Sequence, residues 1–474
     1  MGALAGLFKA AGHDVSGSDT AFYPPMGPAL ERWGIRLLTG FEPTHLEPRP
    51  DLVVIGNVCR PTNPEARAAI DGGMPYASMA HALATHLLEG RSPLVVAGTH
   101  GKTTTSAMCA HVLFEAGLEP GFLIGGLPKN FDTSFRLPGA RKLKVAGASA
   151  GTTSRRTPFV VEGDEYDTAF FEKTPKFWHY RPEVAIVTSI EHDHIDIYPD
   201  ADSYDAAFRG FAERIPASGL FVVAAENAHV VDVARATSAE VAYYALSTDE
   251  TGSAPPHWMA APATVDEEGQ TFDLFVGGVS AGRGRLSVPG AHNLRNATAA
   301  IAAACQGFGV DVRRALEAME TFQGVRRRQD LIYTAGGVRV YDDFAHHPTA
   351  VKETLAALRA RHATGTLFAV FEPRSATACR ALHQAEYADS FRDAARVVLA
   401  PLGRPDIPEG ERLDRTALAR EIESRGSRAE AAASIDEIVT TLSRDAKPGD
   451  TIALLSNGAF GGIYESLKRA LDGR

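Results

Sequence analysis

At 474 residues the chain has room for about three domains and can bury a large core without disulfide or metal staples. Its 45% hydrophobic and 22% charged residues exclude disorder throughout, and a net charge of −10 excludes the overall basic footprint of a nucleic-acid binder. No apolar run reaches membrane-span length, the N-terminus lacks a signal-peptide pattern, and the four cysteines are scattered without a CxxC pair. The composition therefore predicts a cytoplasmic protein with neither nucleic acid nor membrane as partner.

From the N-terminus, residues 1–12 carry a helical pattern that stops at Gly12, residues 51–55 read as a strand, and residues 63–71 and 78–88 read as helices. This alternation predicts a parallel sheet with helices on its faces. A doubly wound nucleotide-binding unit opens with a strand and a Gly-rich turn, whereas this chain opens in the helix, so either the unit lacks its first strand or the given start is not the natural one. Residues 91–93 read as a linker. Residues 94–97 are a buried strand, followed by a Gly-containing loop and a helix over 102–116; further strands fit 159–161 and 184–188. Residues 138–157 have no helical or strand period and read as a mobile surface loop; Arg141, Lys142, Lys144, Arg155 and Arg156 there are either phosphate contacts or a solvated insertion. Residues 251–290 predict a small antiparallel layer, and 293–307 and 312–321 predict helices. A hairpin over 331–341 turns at Gly336 and Gly337, and alternating helix and strand continue to the end: 349–361, 367–371, 397–400, 435–442, 451–455 and 463–471. The fold class is α/β, with predicted domains 1–91, 92–325 and 326–474.

Chemistry concentrates at strand ends. Gly98-Thr99-His100-Gly101-Lys102-Thr103-Thr104 lies between a strand and a helix. Backbone N–H groups of such a loop cradle phosphate oxygens, the Lys ammonium reaches the outer phosphates, and the Thr hydroxyl suits Mg²⁺. Val96 stands where the longer phosphate-loop pattern has Gly. Residues 159–167 bring Glu162 to the end of a buried strand within a run of acids, which reads as a hard-cation site or as a solvated acidic turn. Residues 187–196 do the same for His194, with HxH spacing but no nearby Cys to complete a zinc site. Residues 289–296 open a helix with Asn293 as a candidate N-cap. Arg326, Arg327 and Arg328, and the run 342–348 with Asp343 and His346, flank the third region's hairpin; either run alone reads equally as a charge cluster.

In this order and spacing, GTHGKTTT, VEGDEYD, IEHDHIDIY, GAHNLRNATAA, GVRRR and DDFAHHPTAV resemble the motifs of the Mur ligase family over nearly the whole chain. The resemblance implies a Rossmann-like N-terminal domain lacking its first strand, a central P-loop ATPase domain with a parallel sheet and a small antiparallel layer, and a Rossmann-like C-terminal domain. It implies amide-bond formation at the expense of ATP, with Mg²⁺, in peptidoglycan synthesis and recycling and hence in cell shape and division. The stretches 23–26, 164–171, 371–375 and 456–462 are similar to the branch that joins UDP-N-acetylmuramate to the murein tripeptide L-Ala-γ-D-Glu-meso-diaminopimelate. The alternatives are L-alanine as acceptor, or a nucleotide-binding module that hydrolyses ATP without ligation.

Carried over motif by motif, the resemblance implies catalytic roles for Lys102, Glu162, His194 and Arg328. The ATP contacts would be Gly98, Thr99, His100, Gly101, Lys102, Thr103 and Thr104 on the phosphates, His292 and Asn293 against adenine, Arg328 on the γ-phosphate, and Asp343 and His346 from the C-terminal domain. Thr103, Glu162 and His194 would hold Mg²⁺. Asp19 and Asn57 would contact the UDP-sugar, and Arg374 and Asn457 the peptide's acidic groups. Phe208 stands where some members carry a carbamoylated lysine, and Ser189 replaces the usual Asn. The C-terminal domain is expected to swing closed to bring Arg328 in.

Overall fold

The computed structural model describes residues 1–23, 26–139, 156–195, 197–252, 254–404 and 406–473. Residues 140–155, and with them Arg141, Lys142, Lys144 and Arg155 of the expected mobile loop, lie outside the described residues; Arg156 pairs with Glu183 at 2.9 Å. Among the described residues no helix is long and apolar enough to cross a membrane.

The N-terminal stretch runs α1 (Gly2–Ala10), β1 (Ser16–Asp19), α2 (Met26–Arg32), β2 (Arg36–Thr39), β3 (Val53–Ile55), α3 (Pro64–Asp71), β4 (Tyr76–Ser78) and α4 (Met79–Leu83). β1 pairs parallel with β2 and β3 parallel with β4, so the four strands form two separate two-stranded sheets. Local chemistry sets the helix starts. The Asn63 side chain accepts the Ala66 N–H at 2.9 Å ahead of Pro64, and Ser78 Oγ accepts the His81 N–H at 3.2 Å.

The middle of the chain comprises β5 (Ser92–Ala97), α5 (Lys102–Glu115), β6 (Gly121–Leu123), β7 (Phe135–Arg136), β8 (Pro158–Glu162), β9 (Asp167–Ala169), β10 (Glu172–Pro175), β11 (Val184–Val187), α6 (Ala201–Ala212), β12 (Leu220–Ala224), α7 (Ala228–Val233) and β13 (Glu240–Leu246), then β14 (Trp258–Asp266), β15 (Gly269–Val276), β16 (Val279–Leu286), α8 (Ala291–Ala302) and α9 (Val312–Glu320). Ten of these strands make one sheet in the order β16-β15-β14-β13-β12-β11-β5-β8-β6-β7. From β6 to β14 neighbours run parallel. The antiparallel strands expected within 251–290 are present, hydrogen-bonded onto the edge of this sheet instead of stacked on it. The expected linker at 91–93 is shorter: Ser92 and Pro93 are the first residues of β5, opposite Pro158 and Phe159.

Strand alternation divides the apolar runs between two cores. Leu94, Val96, Val160, Val184 and Ile186 face α5, α8 and α9, whereas Val95, Ala97, Val161, Ala185 and Val187 face α1, α4 and α6. Burial on both faces explains why β5, β8 and β11 read as unbroken apolar runs. It also leaves their carboxyl ends as the place where polar residues can emerge.

The last third holds β17 (Asp330–Ala335), β18 (Val338–Asp343), α10 (Pro348–Arg361), β19 (Leu367–Phe371), α11 (Gln384–Ser390), β20 (Arg396–Leu399), α12 (Arg415–Ser424), β21 (Arg428–Ala431), α13 (Ile435–Asp445), β22 (Thr451–Leu455) and α14 (Ile463–Asp472). They form a second sheet, β17-β18-β22-β19-β20-β21, parallel except for the β17–β18 hairpin.

Candidate active site

The loops that follow β5, β8 and β11 emerge side by side, because these strands are sheet neighbours. The first loop needs its glycines. Gly98 and Gly101 have φ of 128° and 80°, and a Cβ at Gly101 would lie 2.6 Å from Asn296 Oδ1. Gly101 caps α5, so Lys102 is that helix's first residue.

Lys102 Nζ lies 3.0 Å from Glu165 Oε2 and 3.2 Å from Oε1, and also donates to the Gly98 carbonyl. Glu165 is 1% exposed and gathers further donors: the Tyr204 hydroxyl at 3.3 Å, and His194 Nε2 at 3.3 Å as an ion-pair partner. Burial pushes the Glu165 carboxyl up, but Lys102 and His194 outweigh it and hold it at about 2. Burial opposes charge on Lys102 and His194 too, and the same carboxylate carries both above their ordinary values. His194 adopts φ of 52°, in the left-handed region that side chains rarely enter. Asp193 Oδ1 accepts its N–H at 2.7 Å, and the Ile197 and Tyr198 N–H groups bond its carbonyl at 2.8 and 2.9 Å.

Glu162 and Thr103 form a second cluster. The Thr103 hydroxyl donates to Glu162 Oε1 at 2.8 Å and the Gly125 N–H to Oε2 at 2.7 Å. Burial, then Asp164, push the Glu162 carboxyl up. Arg328 Nη2 reaches to 3.5 Å from the Thr103 hydroxyl from the far side of the cleft. In this conformation Arg328 therefore already spans the gap. His194 pairs with Glu165, whereas Thr103 pairs with Glu162.

Around these groups lies a cleft of about 1760 Å³ lined from all three parts of the chain, by Asn57, Lys102, Glu165, His292, Arg328 and Asn457 among others. Thr99, His100, Gly101, Thr103, Thr104, Glu162, Asn293, Asp343, His346 and His194 also line it. Gly98, Asp19 and Arg374 do not: the Gly98 carbonyl accepts a hydrogen bond from Lys102 Nζ, Asp19 accepts the Thr20 N–H at 2.7 Å at the end of β1, and Arg374 lies 3.6 Å from Glu372. His292 Nε2 lies 2.9 Å from Gln329 Nε2, and Asp343 accepts the Gln329 and Ala345 N–H groups at 2.6 and 2.8 Å. The Asn293 side chain donates to the Pro289 carbonyl at 3.0 Å inside the helix, so it does not cap α8; Gly290 holds the N-cap position.

Several groups in the cleft stand outside the roles read from the sequence. Glu165 is one acid among four in 162–167, and burial alone distinguishes it. Glu191 accepts the Thr349 hydroxyl at 2.8 Å and lies 3.3 Å from His100 Nε2, and Asp193 accepts the Thr377 hydroxyl at 2.9 Å. Glu226, just past β12, lies 3.2 Å from Arg295; the strand-end rule that singles out Glu162 would have found it.

Models of the Mur ligase family match in three segments: its catalytic domain over residues 1–91, the middle domain over 96–304 and the glutamate ligase domain over 327–458. The UDP-N-acetylmuramate--L-alanyl-gamma-D-glutamyl-meso-2,6-diaminoheptandioate ligase of Escherichia coli K12 is 37% identical across 100% of this chain and 95% of its own length. The chain belongs to the Mur ligase family. Another relative, the UDP-N-acetylmuramate--L-alanine ligase of Kineococcus radiotolerans, is 37% identical over 84% of this chain and 78% of its own. The crystal structure of a murein peptide ligase from Psychrobacter arcticus 273-4 is 33% identical, with a TM-score of 0.71 and coverage of 100% and 97%.

Two Mur ligase positions singled out by sequence acquire a local explanation. Phe208 is fully buried against Phe177 and Tyr204, with ring centroids 5.3 and 5.2 Å away, so aromatic packing fills this position. Ser189 Oγ accepts the His100 N–H at 3.1 Å and so fixes the loop between β5 and α5.

At the other end of this Mur ligase's cleft, burial pushes Glu226 up to about 7, with Arg295 only partly opposing it, and its Oε2 is buried without a partner among the described residues. A carboxyl raised in the folded state binds its proton when the unfolded chain has lost it. Stability therefore falls as pH rises from the ordinary value of 4.5 to about 7. Glu226→Gln is expected to raise Tm at about pH 8 and to leave it nearly unchanged at about pH 5. Differential scanning fluorimetry across that range checks the sign.

Proposed function

We propose that this Mur ligase is a cytoplasmic enzyme that joins the lactyl carboxylate of UDP-N-acetylmuramate to the L-Ala amine of L-Ala-γ-D-Glu-meso-diaminopimelate, using ATP. The observation that carries the reading is the shared cleft in which Lys102 and Thr103 of the phosphate loop meet Glu162, with Arg328 3.5 Å from the Thr103 hydroxyl on the opposite wall. The full-length similarity to the Escherichia coli enzyme supports the choice of substrates. We divide the work among residues 1–91 for the UDP-sugar, 92–325 for ATP and 326–474 for the peptide.

The donor set suits Mg²⁺. Thr103 and Glu162 offer hard oxygens 2.8 Å apart, and the Glu162 carboxylate is a buried anion whose charge burial opposes, so a cation there is favourable. His194 would stand on the Glu165 side of the same site. When bound, Mg²⁺ neutralises charge on the transferring phosphoryl oxygens.

In the first step a carboxylate oxygen attacks the γ-phosphorus while the bond to the β-phosphate oxygen breaks, giving an acyl phosphate and ADP. In the second, the amine adds to the acyl carbon, gives up a proton, and the carbon–oxygen bond to phosphate breaks, leaving amide and inorganic phosphate. The chain's part is placement and charge. Loop amides and Lys102 hold the phosphates, Lys102 exchanging Glu165 for phosphate oxygen, while Arg328 meets the same charge from the C-terminal side. His292 and Asn293 would flank the adenine, Asp343 and His346 the nucleotide from the C-terminal part, Asp19 and Asn57 the UDP-sugar, and Arg374 and Asn457 the peptide's acids.

Substrate carrying oxygen-18 in the muramyl carboxylate is expected to deliver label to the released phosphate. Unlabelled phosphate would rule out the acyl phosphate. In a phosphate-release assay the tripeptide is expected to exceed L-alanine by at least about tenfold in kcat/KM. A preference for L-alanine would move the assignment to the alanine-adding activity of the Kineococcus relative.

A further inference from the structure

We propose that His81, Glu172 and His179 form a binding site for a divalent transition-metal ion of the zinc class, outside the nucleotide cleft. His81 lies in the first turn of α4, Glu172 opens β10, and His179 ends the 3₁₀ turn Lys176–His179. Segments distant in sequence thus bring one ligand atom each to within 4.8 Å of one another. None of the three residues lines the cleft.

His179 Nε2 and Glu172 Oε1 are 3.6 Å apart. Tetrahedral nitrogen and oxygen ligands about 2.0–2.2 Å from zinc sit roughly 3.3–3.5 Å from each other, so this pair already has nearly the required spacing. His81 is exposed, with its ring 6.3 Å from that of His179, centroid to centroid, so a turn of its side chain would bring it to the ion. The carboxylate is already oriented, since the Ser78 hydroxyl donates to Glu172 Oε2 at 2.8 Å and leaves Oε1 toward His179. An ion would take the place of the Thr174 hydroxyl, which lies 3.0 Å from His179 Nε2. Burial pushes His179 below its ordinary value; His81 and Arg214 act in the same direction and Glu172 against it, so the ring is neutral near pH 7, the form that ligates. Two imidazoles and one carboxylate favour zinc, cobalt or nickel over Mg²⁺ or Ca²⁺, and leave a fourth position open to water. The ion would fasten α4 to the segment that follows the β9–β10 hairpin.

The test is titration of the untagged, chelator-stripped full chain with Zn²⁺ by calorimetry and with Co²⁺ by visible absorption, in excess Mg²⁺. The wild-type chain is expected to bind one equivalent, with the intense d–d bands of tetrahedral Co²⁺. His81→Ala and His179→Ala are each expected to weaken that binding at least about tenfold. Zn²⁺ should raise the Tm of the wild type but not that of His81→Ala, whose exposed position spares the fold and whose phosphate release stays at the wild-type rate. Wild-type stoichiometry and affinity in both variants would overturn the proposal. So would an equivalent that His100→Ala removes and His81→Ala leaves, because it would place the ion at the His100–Glu191–His347 group.

Discussion

Replacing Lys102 with alanine is expected to lower kcat for phosphate release about 10²–10³-fold, the usual loss when one preorganised charge leaves a reacting centre. Position is the reason. Lys102 opens α5 directly after Gly101, where the loop amides and the helix dipole already favour an anion. Its Nζ is held within 3.2 Å of both Glu165 oxygens, so it is charged and aimed before substrate arrives. Alanine removes the charge and leaves the amides in place, so nucleotide binding should weaken far less than turnover. Steady-state phosphate release and equilibrium nucleotide binding, measured together, separate the two effects. Turnover within twofold of the wild type would remove Lys102 from the chemistry.

Glu165→Gln is expected to cost stability as well as activity. Glu165 is 1% exposed and shared by two cations, and breaking such a buried arrangement by removing one partner costs about 3–5 kcal/mol. The pH dependence distinguishes this from a simple packing defect. Glu165 is depressed from 4.5 to about 2, so its contribution is present above about pH 4.5 and fades as pH falls toward 2. His194 is raised from 6.5, so its share is complete below that value and fades as pH climbs through the raised one. The Tm difference between wild type and variant should therefore be largest between those limits and shrink on both sides. Magnesium–ATP should raise the variant's Tm more than the wild type's, because phosphate oxygens restore the missing anion. A pH-independent difference, or none, would show that the shared carboxylate is not what holds these cations.

How much of this was legible in the sequence follows from which positions local chemistry alone determines. β5, β8 and β11 were readable because burial on both faces demands unbroken apolar residues, and the same burial confines polar residues to the strand ends. The loop over residues 98–104 was readable because φ of 128° and 80° calls for glycine at Gly98 and Gly101. Glu165 was not readable. Four carboxylates within 162–167 look alike until Tyr204, His194 and Lys102, distant in sequence, close over one of them. The Asn293 cap failed for a similar reason: an amide at a helix start satisfies an N-cap pattern, but here the helix begins earlier and the side chain turns back to the Pro289 carbonyl. Ser92 and Pro93 read as linker, yet they are the first residues of β5, opposite Pro158 and Phe159; that pairing is set by distant residues and not by local composition. That the antiparallel strands join the parallel sheet is a matter of pairing partners, on which the pattern of side chains along one strand is silent.

The hydroxyls of Thr377 and Thr349 reach across the cleft to Asp193 and Glu191. A hydrogen bond to a charged acceptor is worth about 1.5–3 kcal/mol net. Water can replace either donor as the walls part. These struts therefore bias the two halves together without locking them, a compromise suited to an enzyme that must shut out water during chemistry and release three products every cycle.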